Sequence, residues 1–287
     1  MHDKMFAVFI LSHGRANDIL TVEMLRRGNY TGDWYVVIDD EDDQEPIYRE
    51  RFGEHVLQFC KKDEADLTDT GDLDNDRRVG VFARNAIQKM AKEMGYKYHL
   101  QLDDDFRYLY LRFPKGKKTS SLTCIEVKHL DKLFEYFVDF MESTNVAWLS
   151  FALSSDYLGG SRSNRYTKKL LPKTMGSFLM RADEYVPFKM RMNDDITTCI
   201  TQWELGRPNY SVMYVQVQTP ETQEMKGGMT DIYTDNGTYR KSFYSVMCHP
   251  GFVKVAKQGI KYFRIHHEIR WNGCVPKVLN EKWRKER

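Results

Sequence analysis

Tyr98-His99-Leu100-Gln101-Leu102-Asp103-Asp104-Asp105 is the stretch on which the fold turns. An apolar run of strand length ends abruptly in three carboxylates. These repel one another, and a bare sheet edge has no use for them. A divalent cation removes the penalty, since hard oxygen ligands suit Mg²⁺ or Mn²⁺. Alternation along a strand turns Asp103 and Asp105 to one side and Asp104 to the other. The plainer reading of the same residues is a solvated acidic turn in which Asp105 caps a following helix.

Working backward from this stretch, Val79 to Met94 has helical period, with Phe82, Ala86 and Met90 along one stripe and Gly95 as its stop. Positions 61 to 78 are rich in Asp, Lys and Thr without apolar period, which predicts a surface loop. Val56 to Phe59 is a short strand candidate, and Trp34 to Ile38 a buried strand running into Asp39-Asp40. Phe6 to Leu11 is a continuous apolar run ending in Ser12-His13-Gly14-Arg15. A helix follows it, with Ile19, Val22 and either Met24 or Leu25 inward and Gly28-Asn29 closing it. Strand-helix alternation predicts an α/β fold: a Rossmann-like, mostly parallel central sheet with helices on both faces. Such sheets bind ligands at the carboxyl ends of their strands, so Ser12 to Arg15, Asp39-Asp40 and Asp103 to Asp105 should share one crevice.

Working forward, a basic turn (Lys115, Lys117, Lys118) precedes an amphipathic helix over Lys128 to Ser143. Leu130, Leu133, Phe134, Phe137 and Met141 form its apolar face. Val146 to Leu153 and Gly176 to Met180 read as strands, separated by a polar stretch carrying Arg162, Arg165, Lys168 and Lys169. Asp194 to Leu205 is a helix stopped by Gly206, and Val212 to Val217 another strand. A Gly227-Gly228 loop, equally readable as an active-site hinge or a surface turn, precedes two strands around Val253 and Tyr262 to Ile265. No repeat or low-complexity linker interrupts the chain. One domain over 1–287 is expected, with a first half over about 1–112 and an elaborated second half over about 113–287.

The 287 residues, 41% of them hydrophobic, can bury a large core. With 43 Lys plus Arg against 41 Asp plus Glu, the net charge of +2 gives no global pull on nucleic acid, so any such contact needs a local basic face. Five scattered cysteines without CxxC spacing argue against a zinc ribbon or disulfide framework and for a reducing, cytoplasmic compartment. The only N-terminal apolar run is too short to span a bilayer, so no membrane association is expected.

The ordered set formed by the first strand, Asp39, Ala83-Arg84-Asn85-Ala86, Gly95, Leu102-Asp103-Asp104-Asp105 and Asn193-Asp194-Asp195 resembles the GT-A type glycosyltransferases. At finer grain the chain is similar to phage glycosyltransferases associated with TET-type oxygenases. The cues are Phe6 to Arg15, the acidic triplet followed by Phe106, Asn193-Asp194-Asp195, His249-Pro250-Gly251 and His266 to Trp271. The resemblance implies a GT-A-like fold and metal-dependent transfer of a sugar from a nucleoside diphosphate, such as a UDP-sugar, to a hydroxyl. The acceptor it implies is a hydroxymethylated pyrimidine, 5-hydroxymethylcytosine or 5-hydroxymethyluracil, in double-stranded DNA.

It also implies roles. Asp39 meets the nucleoside, Asp103 the ribose or the metal, and Asp105 the metal directly. Ser12, Arg15, Arg84 and Asp104 lie at the donor, Arg84 and Arg15 being suited to its phosphates. Asp194 or Asp195 deprotonates the acceptor, although either could simply cap its helix. His249 completes the metal shell, with His266 or His267 as competitor, and Lys254 reaches the diphosphate. Tyr157 and Tyr166 are available to stack on an extruded base beside the basic loops. A glycan or protein acceptor, or a nucleotidyltransferase sharing the acidic strand end, are the competing readings.

Overall fold

The structure is a computed structural model that describes residues 4–220, 239–259, 264–274 and 281. In β1 (Lys4–Leu11), Ala7, Val8, Phe9 and Ile10 are all fully buried, so both faces are covered and hydrophobicity does not alternate. The chain continues through α1 (Leu20–Arg27), β2 (Asp33–Asp39), α2 (Glu45–Phe52), β3 (Val56–Phe59), α3 (Lys61–Leu67), α4 (Val81–Glu93) and β4 (Tyr96–Asp103). α1 stops at Gly28 and a left-handed Asn29 (φ 51°), and α4 at Gly95 (φ 81°).

Two of these helices depart from the expected pattern. α3 occupies the start of the stretch expected to be a loop. Its buried residues are Lys61 and Glu64, held by Asp39 and by Lys89 (2.6 Å), so no apolar period marks it. α2 shows only Tyr48 and Phe52 to the core, one turn apart, too little to stand out among charged neighbours.

The second half adds β5 (Tyr108–Leu111), β6 (Ile125–Glu126), α5 (Leu130–Ser143), β7 (Trp148–Leu153), α6 (Asn164–Thr167), β8 (Leu170–Leu171), β9 (Ser177–Arg181), α7 (Asp194–Glu204) and β10 (Asn209–Gln218). Beyond them lie α8 (Arg240–Cys248), β11 (Val253–Gln258), β12 (Arg264–Ile269) and α9 (Trp271–Cys274). Gly227-Gly228 lies outside the described residues.

The main sheet has the order β3-β2-β1-β4-β9-β7-β10-β5-β6, with β8 beside β10. β5, β8 and β9 run against the other strands, which are mutually parallel in direction. β11 and β12 form a separate antiparallel ribbon.

Alternate residues of β1 serve two cores. Val8 and Ile10 pack with α1, α2 and α5, while Ala7 and Phe9 pack with α4 and α7. Each fully buried side chain of this size contributes about 1.5–3 kcal/mol. The five inward residues of α5 (Leu130, Phe134, Phe137, Val138 and Met141) therefore suffice to fix that helix on the sheet. A third, smaller cluster of Leu122, Ala152, Tyr157, Tyr166, Leu171 and Met213 lies under the loops of the second half.

Candidate active site

β1 lies between β2 and β4 in parallel register, with Leu11 opposite both Val37 and Asp103. The three polar strand ends are therefore adjacent. Three separate networks organise them.

The first fastens strand ends. Asp104, in the turn just past the end of β4, is buried. Its Oδ2 accepts from Ser12 Oγ (2.7 Å) and its Oδ1 from Arg15 Nη1 (2.7 Å). The Tyr48 hydroxyl shares a hydrogen bond with Ser12 Oγ (2.8 Å) and accepts from the Arg15 amide (3.0 Å). Ser12, Arg15 and Asp104, expected at the donor, satisfy one another instead. A buried carboxylate without a cation and a donor hydroxyl would be costly.

The second network surrounds Asp39. Its carboxylate is buried and occupied: His13 Nδ1 lies 2.8 Å from Oδ2, and Lys61 Nζ donates to Oδ1 at 3.2 Å. Burial alone would push this carboxyl up, but the His13 hydrogen bond and the His13 and Lys61 charges prevail and hold it below the usual range. The same hydrogen bond raises the His13 imidazole against the effect of burial. The part-exposed His13 ring, rather than Asp39, is the group this network presents outward. Sequence reading placed His13 at the strand end with Ser12 and Arg15 but gave it no role, and it had no signal for Lys61, which belongs to no apolar pattern.

The third network joins the two acidic segments. Arg84, buried on α4, donates from Nη2 to Asp103 Oδ1 (2.8 Å) and from Nε to Asp194 Oδ2 (2.9 Å). Its guanidinium carbon lies 5.0 Å from the Phe178 ring and 5.9 Å from that of Phe188. Expected on the donor phosphates, Arg84 is engaged in linking β4 to α7. Asp194 accordingly faces Arg84 and does not cap its own helix; Asp195 Oδ1 accepts from the adjacent Ile196 amide (2.7 Å).

Two carboxyls at this junction are strongly perturbed. Burial, reinforced by Asp103 and Asp104, pushes Asp105 up to about 7. Burial, reinforced by Asp194, pushes Asp195 up to about 7 as well. Asp105 has no side-chain hydrogen-bond partner among the described residues. Gly176 (φ 68°) passes so close to Asp103 that a Cβ there would lie 3.2 Å from Oδ2.

α7 begins at Asn193, held left-handed (φ 56°), a conformation that Asn tolerates better than most residues. Its Nδ2 contacts the Lys241 carbonyl (2.9 Å), Ser245 Oγ (2.9 Å) and His267 Nδ1 (3.1 Å), which brings α8 and β12 to the acidic helix start. Arg191 fixes the 68–80 loop nearby through Asp72, at 2.8 Å and 2.9 Å, and Tyr244 donates to the same carboxylate.

His249 is a correction. It is buried, with Nδ1 on Glu204 (3.0 Å) and Nε2 on the Thr197 carbonyl (3.0 Å), so both ring nitrogens are consumed in clasping α7. The imidazole beside the acidic segment is that of His267, which burial holds down at about 4 and therefore neutral. Lys254 also departs from expectation: its side chain is 71% exposed on β11, 3.4 Å from Glu268. Among the described residues, no three His, Cys, Asp or Glu side chains converge to hold a metal.

Tyr157 and Tyr166 are not available for stacking. Both are buried, their hydroxyls donating to the carbonyls of Met213 (3.1 Å) and Arg112 (2.8 Å). The basic loops do meet. Arg162 Nη2 donates to the Lys117 carbonyl (3.2 Å) and the Ser161 amide to that of Ser120 (2.8 Å), so Lys115, Lys117, Lys118 and Arg162 share one exposed surface. No helix among the described residues is long and apolar enough to cross a membrane.

Residues 6–228 match the family described as TET-Associated Glycosyltransferase. Among solved structures, a mannosyltransferase from Pyrobaculum calidifontis in complex with GDP-Man and Mn²⁺ is similar at 13% identity, over 87% of this chain and 74% of that one, with a TM-score of 0.49. Glucosyl-3-phosphoglycerate synthase from Mycobacterium tuberculosis, with Mn²⁺ and UDP-Glc, is similar at 9% identity over 93% and 87%, TM-score 0.45. S. aureus TarS with UDP-GlcNAc is similar at 14% identity over 86% and 67%, TM-score 0.45. No curated protein matches the chain in sequence.

Proposed function

The chain belongs to the TET-associated glycosyltransferase family, and from that premise we propose that it transfers a sugar from a nucleoside diphosphate, such as a UDP-sugar, to the hydroxymethyl group of a modified pyrimidine in DNA. The observation that carries the donor half of this reading is the Asp103–Asp105 pair. Asp105 is a half-buried carboxyl with no side-chain hydrogen-bond partner among the described residues, pushed up to about 7. Asp103 keeps Oδ2 clear of Arg84, which takes Oδ1. Two carboxylates with room for substrate oxygens fit Mn²⁺ or Mg²⁺, which commonly complete their shells with phosphates and water. His267, bonded to Asn193, is the imidazole at the neighbouring acidic helix start, and His249 is turned into α7 instead. An ion bound by Asp103 and Asp105 would supply positive charge for the departing diphosphate.

The chain's own residues do the rest. The outward ring of His13, oriented by Asp39 and Lys61, meets the nucleoside. Asp195 accepts the acceptor hydroxyl proton as that oxygen bonds to the anomeric carbon and the sugar–phosphate bond breaks, a displacement that inverts configuration. A carboxylate base with a pKa of about 7 is matched to neutral pH. Arg84 holds Asp194 at a fixed position beside it. Lys115, Lys117, Lys118 and Arg162 contact acceptor phosphates.

A nucleotide-sugar hydrolysis screen with Mn²⁺, run with and without hydroxymethylated duplex DNA, tests both halves. Donor turnover that rises several-fold with the modified duplex and not with unmodified DNA is expected. Turnover indifferent to DNA but stimulated by a glycan or protein would replace the acceptor and leave the donor half standing.

A further inference from the structure

A separate cleft of 510 Å³ opens between the loop that carries α6 and the β11–β12 ribbon. Lys168 forms one wall; Phe252, Lys254, Glu268, Arg270 and Trp271 line the others. Its charge is one-sided. Three cations face it, and its single carboxylate among the described residues, Glu268, is already engaged by Lys254 at 3.4 Å. Arg270 is steadied from one nitrogen, Nη2 donating to the Gly251 carbonyl at 3.2 Å, which leaves the remainder of its guanidinium open. Lys168 and Arg270 are exposed and have no carboxylate partner among the described residues. The floor is aromatic: Phe252 and Trp271 rest against the α4–α7 core cluster and are half-buried.

The position of the cleft adds to its chemistry. Lys168 lies on the same loop as Arg162 and so continues the basic surface of Lys115, Lys117 and Lys118. His267 of β12 meets Asn193 at the acidic helix start, and Arg270 at the cleft follows the end of the same strand. Three residues of extended chain span about 10 Å, and a duplex rises about 3.4 Å per base pair.

We propose that this cleft holds the phosphodiester backbone of the acceptor about three nucleotides from the one that receives the sugar, Lys168 and Arg270 contacting phosphates over the Trp271 ring. The proposal rests on the DNA-acceptor reading above and adds a second point of attachment to it. A polyanion is the occupant this lining complements, since Lys254 and Glu268 offset each other and Lys168 and Arg270 remain as two uncompensated cations. A second anchor beside the first would fix the target base in register.

The test is an anisotropy titration of the full chain with a labelled duplex containing 5-hydroxymethylcytosine, across a salt series, with methylphosphonate replacing one linkage at a time. Each phosphate neutralised adds about 0.9 to the slope of log K against log salt. Lys168→Gln/Arg270→Gln should therefore flatten the slope by about 1.8. Methylphosphonate near the third linkage should weaken the wild type while leaving this variant unaffected. Both residues are exposed, and a melting curve checks that the fold is retained. Trp271→Phe should keep binding close to wild type and Trp271→Ala should weaken it. Wild-type binding that is salt-dependent while the double variant keeps the full slope would overturn the cleft and spare the DNA acceptor. Absence of salt-dependent binding in the wild type would sink the acceptor reading, and the cleft with it.

Discussion

Asp105 and Asp195 share one condition: burial and a neighbouring carboxylate push each up to about 7. An unfolded Asp titrates near 3.9. The folded protein therefore binds more protons between those values, and the contribution these groups make to stability is present below about 4 and lost as pH rises through about 7. Without metal, the melting temperature should fall across that window. Mn²⁺ should reverse the fall at neutral pH in the wild type and not in Asp105→Asn; calorimetry should also show that variant losing well over tenfold in Mn²⁺-dependent nucleotide binding. Asp195→Asn is expected to lower kcat by about 10²–10⁴-fold while donor Kd is unchanged. Wild-type turnover should rise with pH through about 7, because only the ionised base accepts a proton. Strand alternation read from sequence set Asp104 apart from Asp103 and Asp105; β4 ends at Asp103, and Asp104 in the turn beyond it has its own partners in Ser12 and Arg15. Alternation could not say which partner an arginine meets. Arg15 and Arg84 are phosphate-suited side chains whose carboxylate partners stand 89 positions away for Arg15 and 19 and 110 for Arg84, and no local pattern encodes such pairings.

Among the elements, α4 joins the two halves of the site. Its Arg84 stands between the end of β4 and the start of α7, so Arg84→Met would leave two carboxylates facing each other without a cation. Breaking a buried pair from one side costs about 3–5 kcal/mol; Asp103 is 34% exposed, which favours the lower end. Urea unfolding should show a midpoint shift of that order. Arg84→Lys should recover only part of it, since a single ammonium cannot copy the planar fork that spans both partners. Elements with an apolar stripe, such as α5 and α7, were legible before any coordinates. Those that escaped did so for reasons of chemistry or length. α3 turns Lys61 and Glu64 inward, and β5 is four residues long with only Leu109 fully buried.

At the scale of the whole molecule, the order of strands and helices predicted the convergence of three strand ends, and the sheet brings them together. The C-terminal part was harder to read because several histidines compete there, and only packing shows that His249 clasps α7 while His267 reaches Asn193. The basic surface belongs to this scale too, since its two loops touch through Arg162 and Lys117, which stand 45 positions apart. Replacing Lys115, Lys117, Lys118 and Arg162 by Ala should flatten the salt dependence of duplex binding by up to about 3.6, at 0.9 per phosphate. An unchanged slope in that titration would rule out this surface as the acceptor contact. These loops sit on the cluster of Leu122, Ala152, Tyr157, Tyr166, Leu171 and Met213, which shares no buried residue with the two cores that carry β1 and the acidic strand end. Chimeras that exchange segments 113–123 and 154–171 between relatives, with that small cluster transplanted intact, should therefore acquire the acceptor preference of the graft and retain the donor of the host.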